Sequence, residues 1–341
     1  MGKTGICRAL AVLCVLALVL SAAGCETLNV PAKDRSVSDR TLYAMDTEMT
    51  LRLYGDTDGA CMEELAALLE ALDGRLSATS EGSSLSALNR TGETSDGELL
   101  SIVTQAKAIH DRTGGALDLS LYPASLAWGF TTGSYHVPAP EDLEALRPSV
   151  GMDKLTVGTD SLELAQGMML DLGAVGKGWA ADRCREAMEA RGLSGILSLG
   201  GSIQTVGAKP DGSDWVIGVQ DPDDAGAYLL TLTLKGTKAV VTSGDYQRYF
   251  EEGGVRYCHI LDPDTLSPVH SSLRSVTVVA DSGFLADGLA TALFVLGREA
   301  GIALYRQSSD FEAIWIEEGG VVTVTPGLKD LVSGCEFEAV P

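Results

Sequence analysis

The sequence predicts an α+β protein built from mixed or antiparallel sheets with helices packed on them. Short apolar runs of strand character outnumber stretches of helical period, and they do not alternate with helices as βαβ units require. No internal repeat appears, and no linker divides the main body of the chain. With 341 residues, 45% of them hydrophobic, the chain can bury one large core or two small ones. Glycine (39) far outnumbers proline (11), which fits many turns and backbone-lined sites rather than a disordered chain.

The N-terminus reads as a targeting segment. Lys3 and Arg8 form a basic region, and Ala9 to Leu20 is an apolar run too short to span a bilayer comfortably. Small residues Ser21, Ala22, Ala23 and Gly24 then lead to Cys25. This resembles a bacterial lipoprotein signal, whose cysteine becomes the lipidated first residue, although Ala22 stands where such signals more often carry Leu. An uncleaved N-terminal anchor is the alternative, and both place the body outside the cytoplasm. The expected organisation is a signal peptide over 1–24, a lipidated tether over 25–40 and a folded body over 41–341.

Within the body, Leu42 to Tyr54 alternates partly and reads as a strand. Ala60 to Leu76 sets Cys61, Leu65, Leu68, Leu69, Leu72 and Leu76 on one helical face and Glu63, Glu64 and Glu70 on the other. The following SATSEGSSLSALN reads as a Ser-rich loop. Glu98 to His110 is a second amphipathic helix, ending before the turn Thr113-Gly114-Gly115, and the apolar Ala116 to Phe130 is interrupted by Pro123. Pro140 to Leu146 is a short acidic helix, and Leu155–Val157 pairs with Leu162–Leu164 across Gly158-Thr159-Asp160.

Leu170 to Ser202 organises the rest. An apolar run, Met168 to Leu170, ends in Asp171, and Gly173, Gly176 and Gly178 surround Lys177. Trp179, Ala180, Cys184, Ala187 and Met188 then recur at helical spacing, and Ile196 to Leu199 closes on Gly200 and Gly201. The stretch reads as strand, glycine turn, helix, strand. Further strands are expected over Asp214–Gln220, Tyr228–Leu234, Ala239–Thr242, Tyr257–Leu261 and Ser275–Ala280. Helices follow at Leu285–Leu296 and Gly301–Arg306, then a hairpin of Ala313–Ile316 and Val321–Val324 over Gly319-Gly320.

The formal charge of −22 makes nucleic acid and anionic membrane surfaces poor partners for the body. An anionic ligand would need a local cationic pocket or a metal ion. Of seven cysteines, Cys61, Cys184, Cys258 and Cys335 lie beyond the N-terminal segment, far apart and without zinc spacing, and read as small buried hydrophobes rather than disulfide partners.

Several residues could carry chemistry. The glycine turn and Lys177 suit a phosphate, since glycines admit close backbone approach and a helix N-terminus attracts anions. The spacing is neither a P-loop nor a dinucleotide fingerprint, and a solvated lysine at an ordinary turn is an equally open reading. Asp287 and Thr291 share a helix face, and their oxygens suit Mg²⁺; an Asp merely stabilised near a helix N-terminus is the plainer alternative. His259, in RYCHILDP, could be a general base or a hydrogen-bonded core residue, whereas His110, His136 and His270 read as surface residues. Ser243 lacks the G-x-S-x-G elbow, which argues against a serine hydrolase. Thr113 to Asp118, TGGALD, is a glycine turn that could press its backbone against a planar ligand or simply be capped by Asp118.

Taken in order, MDTEMTLRLYG, SSLSALN, TGGALDLSLYPASLAWGF, LDLGAVGKGWAAD, SLGGSI, VVTSGDYQRYF, RYCHILDPDTLSP and SVTVVADSGFLADGLATALFVLG resemble the FAD:protein FMN transferases, the ApbE-like flavin transferases. The match runs from about Met45 to Gly297. The resemblance implies a T-fold-related architecture and an enzyme that binds FAD with Mg²⁺. It would attach the FMN phosphate to a Thr or Ser hydroxyl of a partner protein and release AMP. It further implies FAD contacts at Met45, Ala116, Leu117, Asp118, Asp171, Lys177 and Leu261. Mg²⁺ would be held by the Ala174 carbonyl, Asp287 and Thr291, with Ala290 nearby, and His259 would be the base.

Two departures stand out. Ser77-Ala78-Thr79-Ser80 lacks the aromatic that the family often carries in that loop, and Met45-Asp46-Thr47 replaces the common Met-Gly-Thr. The implied partner is an FMN-accepting redox protein or membrane electron-transport subunit, reached from a lipid anchor on the outer face of the bacterial cell membrane. An FAD pyrophosphatase using the same residues and a non-catalytic flavin-binding lipoprotein are the rival readings.

Overall fold

The computed structural model describes residues 36–340. The targeting segment and Cys25 lie outside the described residues. The first strand, β1 (Val37–Ala44), starts before the expected tether has ended, because Val37 to Arg40 already pair with β2 (Thr47–Tyr54).

The predicted strand Leu42–Tyr54 is thus the centre of a hairpin. Ala44 pairs with Thr47, so Met45 and Asp46 alone make the turn, with φ of 50° and 58°. Two left-handed residues in a two-residue loop match the right-handed twist of the strands, a geometry usually announced by Asn-Gly or Asp-Gly. Met-Asp carries no such signal.

The chain continues through α1 (Ala60–Leu76), whose predicted leucine face is buried. The serine-rich segment then folds as α2 (Ser84–Thr91) instead of a loop. Its serines include a cap: Ser83 Oγ accepts from Ser86 N at 2.9 Å, Leu85 and Leu88 enter the core, and Gly92 closes the helix at φ 80°. After α3 (Gly97–Arg112) come the short α4 (Tyr122–Ala127), started by Pro123, and α5 (Pro140–Leu146). The expected hairpin pairs Thr156–Val157 with Leu162–Glu163.

Met168–Leu170 is not a strand. Among the described residues no neighbour offers it a ladder, and the side-chain amide of Asn89 acts as a substitute. Leu170 N donates to Asn89 Oδ1 at 2.7 Å and Asn89 Nδ2 donates to Leu170 O at 2.8 Å. This clamp fixes the residue just before Asp171.

Helix α6 (Gly176–Ala190) leads to β3 (Ser194–Leu199) and β4 (Ser202–Val206). Then come β5 (Trp215–Gln220), β6 (Tyr228–Leu234), β7 (Lys238–Gly244), β8 (Tyr249–Glu252), β9 (Val255–Cys258) and β10 (Leu273–Ala280). Helix α7 (Gly283–Tyr305) runs as one element interrupted at Gly297, where φ is 77° and ψ 171°. That break separates the two helices expected from the sequence. The chain closes with β11 (Phe311–Glu317), β12 (Val322–Val324), β13 (Val332–Ser333) and β14 (Glu338–Ala339).

Nine strands form the main sheet in the order β1-β2-β3-β4-β7-β10-β11-β12-β14, antiparallel except for the last pair. Side chains alternate across it as the pleat requires. Leu197, Val241, Val276, Val278 and Trp315 face the helices α1, α6 and α7, whereas Ile196, Val240, Val279, Ile314 and Ile316 face a smaller sheet of β13-β6-β5. The architecture is helices, large sheet, small sheet, so the α+β expectation holds. Cys61, Cys184 and Cys258 are buried and Cys335 half-buried, all as free thiols. Burial pushes the Cys184 thiol up to about 12, which suits a packing residue rather than a reactive one.

Candidate active site

The site grows from the crossing of α6 and α7. Gly178 and Gly283 meet there, and a Cβ on either would collide with the other's carbonyl. Each helix supplies a carboxylate to the first turn of the other. Asp182 of α6 accepts from Ser282 Oγ (2.7 Å), Gly283 N (2.8 Å) and Phe284 N (2.9 Å) at the start of α7. Asp287 of α7 accepts from Gly178 N (2.8 Å) at the start of α6.

Gly178 is among the first-turn amides of α6, which have no carbonyl of their own helix to bond, and Asp287 caps it. The Ala174 carbonyl, which lies before the helix cap Val175, has no donor among the described residues. The unbonded carbonyl, the buried Asp287 carboxylate and the half-buried Thr291 hydroxyl are hard oxygen donors of the kind Mg²⁺ takes. Burial pushes Asp287 above the ordinary carboxylate range, against the pull of Lys177 and the Gly178 and Lys177 amides. A cation would reverse that balance, so the residues fit the metal. Ala290, expected nearby, lies on the same helix between Asp287 and Thr291 and is buried in the core.

Ser243 is the oxygen that sequence reasoning set aside. Its hydroxyl lies 3.3 Å from Thr291 Oγ1, near the end of β7. Only spatial pairing of β7 with the α7 layer reveals it, since 48 residues separate the two.

Asp171 follows the Asn89 clamp and accepts from Gly173 N at 2.6 Å. Burial raises its pKa while the Gly173 amide, Arg248 and Lys177 lower it. His259 is not inside a strand as predicted, because pairing in β9 stops at Cys258. Its amide and its Nδ1 both bond the Arg248 carbonyl, at 3.0 and 3.1 Å. A carbonyl can only accept, so Nδ1 carries the proton and Nε2 presents a lone pair. Burial, together with the charges of Arg248 and Lys177, lowers the ring's pKa to about 4, which keeps it neutral at physiological pH.

These groups form one electrostatic neighbourhood, with Lys177 acting on Asp171, His259 and Asp287 alike. The ApbE family profile matches residues 45–315, spanning every one of them. The chain belongs to the ApbE family. It is 33% identical over 302 residues to the FAD:protein FMN transferase of Vibrio cholerae serotype O1, covering 86% of this chain and 89% of that one. With the Treponema pallidum FAD:protein FMN transferase it shares 35% over 294 residues, covering 80% and 81%. The crystal structure of the ApbE protein from Thermotoga maritima superposes with a TM-score of 0.82 at 28% identity, covering 87% of this chain and 99% of that one. The apo Pseudomonas stutzeri flavinyl transferase ApbE gives 0.79 at 32%, covering 88% and 98%.

The other residues anticipated from the ApbE resemblance divide by role. Met45 occupies the strained turn between β1 and β2, partly buried against the core. Ala116 and Leu117 are buried, and the Leu117 carbonyl is held by His110 Nδ1 at 2.8 Å. His110 is therefore a buried positioning residue, not the surface residue expected. Asp118 already accepts from Ser120 N and Oγ (2.8 and 2.5 Å) and from Met152 N (3.2 Å), so its carboxylate is committed to folding that loop. Any ligand contact there falls to its backbone. Leu261 is buried in a satellite cluster with Trp128 and Phe130.

His110, Asp111 and Asp153 form a second group with metal-like spacing. In this ApbE chain the Lys107 ammonium already bridges the two carboxylates, at 2.5 and 3.0 Å, and takes the place of a cation.

The raised pKa of Asp287 gives a pH signature for metal binding. A carboxylate whose folded pKa exceeds its unfolded value favours the fold at low pH and costs stability as pH rises through the folded value. Mg²⁺ binds only the ionised form. Thermal melts should therefore show a larger Mg²⁺-induced rise in Tm at pH 8 than at pH 5. An equal rise at both would remove Asp287 from the metal site.

Proposed function

We infer that the protein is an FAD:protein FMN transferase, which moves the FMN moiety of FAD onto a Thr or Ser hydroxyl of a target protein and releases AMP. The observation that carries this reading is the bond from Gly178 N to Asp287, which sets that carboxylate at the first turn of α6, where Lys177 acts on it and on a neutral imidazole.

Phosphoryl transfer asks a protein for positioning and charge stabilisation more than for covalent chemistry. Mg²⁺, bound by the Ala174 carbonyl, Asp287 and Thr291, would neutralise charge on the pyrophosphate, which a chain of net charge −22 cannot do with its overall field. Lys177 and the glycine-turn amides complete the anion cradle. His259 Nε2 accepts the proton of the incoming hydroxyl while that oxygen bonds the flavin-side phosphorus. The bond from that phosphorus to AMP breaks, and AMP leaves with the electron pair.

The acceptor suited to this chemistry is an FMN-carrying redox protein, including membrane electron-transport subunits. A lipidated Cys25 would hold the enzyme beside such a partner on the outer face of the cytoplasmic membrane.

The test is incubation with FAD, Mg²⁺ and candidate acceptors, read by in-gel flavin fluorescence together with AMP release. Protein-bound flavin with equimolar AMP is expected. Free FMN with AMP would instead identify a pyrophosphatase, and no AMP would identify a flavin carrier.

A further inference from the structure

Arg248 has so far served only through its carbonyl, which fixes the His259 ring. It stands in the turn between β7 and β8, exposed to solvent. Among the described residues no carboxylate or carbonyl takes its guanidinium. This is notable in a chain with 47 acidic and 25 basic residues. Arg40, Arg52, Arg75, Arg112 and Arg274 are each held by a carboxylate.

Its charge is nevertheless felt inside the site. It acts on the Asp171 carboxylate and on the His259 imidazole, and Lys177 acts on both as well. Neither Lys177 nor Arg248 has an ion-pair partner among the described residues. Two cations act on a neutral base while neither is held in an ion pair, so each has a charge that a phosphate could take. Of the two phosphates in a dinucleotide, the one near Arg248 is the one under attack. His259 must reach the hydroxyl that bonds this phosphorus, and Arg248 is tethered to His259 by two hydrogen bonds.

We propose that Arg248 binds the flavin-side phosphate of FAD, its guanidinium fork holding two non-bridging oxygens beside His259. The planar fork matches a phosphate in a way a lysine ammonium does not. The proposal rests on the transferase reading and deepens it. Arg248 exchanges no proton; it holds the phosphoryl group while the hydroxyl oxygen bonds phosphorus, the proton passes to His259, and the bond to AMP breaks.

The test compares binding of FMN, riboflavin and AMP to the full chain with Mg²⁺ present, in the wild type, Arg248→Gln and Arg248→Lys. Arg248→Gln should weaken FMN about tenfold or more, leave riboflavin and AMP within about twofold, and keep the melting temperature, because the side chain is exposed. Arg248→Lys should recover part of the FMN affinity. Unchanged FMN binding, an equal loss of riboflavin, or a loss of AMP in place of FMN would each overturn the assignment. None of these measurements uses an acceptor. A wild type that transfers no flavin would sink the transferase reading and leave this result standing.

Discussion

Asp287→Ala should abolish flavin transfer, lowering kcat/KM by about 10³-fold or more, the scale of losing charge stabilisation at a phosphoryl centre. The substitution removes the carboxylate on which the proposed Mg²⁺ site is built. It also strands the Gly178 amide, which is buried and has no other acceptor, at a cost of about 1–3 kcal/mol. Asp287→Asn separates the two effects. Its side-chain oxygen can still accept from Gly178, and loss of a buried, pKa-raised carboxylate leaves the metal-free fold at least as stable at neutral pH. The asparagine variant should therefore melt like the wild type without Mg²⁺, gain no stability when Mg²⁺ is added, and transfer no flavin. Wild-type turnover in either variant would refute the metal assignment.

His259→Ala should lower kcat by about 10²- to 10⁴-fold while FAD affinity changes little, because the ring acts on the incoming hydroxyl. The depressed pKa of about 4 sets the pH dependence. A base works when neutral, so kcat/KM, which reports the free enzyme, should hold steady through neutral pH and fall on its acid side only near pH 4. In the FAD complex the added phosphate charge favours the protonated ring, so the acid limb of kcat should lie higher than that of kcat/KM. Stability follows the same sign. The neutral ring's contribution is present above the unfolded value of about 6.5 and is lost as pH falls toward 4. His259→Ala should flatten that part of the curve of Tm against pH. Transfer at the wild-type rate, or an acid limb that survives the substitution unchanged, would assign the base elsewhere.

The sequence was legible where pattern and chemistry agreed. Helices α1, α3 and α6 announced themselves through apolar periodicity, and Asp287 with Thr291 through a four-residue spacing that structure could only confirm as one face of α7. Legibility failed where a side chain did the work of a backbone. Asn89 replaces a neighbouring strand for Leu170, so Met168–Leu170 looked like sheet and is not. Serines that resembled a loop proved to include the cap of α2. The β1–β2 turn was hidden because Met45 and Asp46 adopt left-handed geometry without glycine. The Ala174 carbonyl came only from the family resemblance, since no local pattern marks a backbone oxygen. The place of Ser243 beside Thr291 could not be seen at all, because it depends on a contact across 48 residues. His110 looked solvent-facing from its place near a helix end, yet its ring is spent on Leu117.

The exchange of carboxylates between α6 and α7 couples assembly to chemistry. Neither helix can complete its first turn until the other is docked, because Asp182 and Asp287 each cap the opposite helix of the crossing. Hydrogen exchange at Gly178, Gly283 and Phe284 should therefore open in a single cooperative event. A set of oxygen donors assembled that way exists whole or not at all.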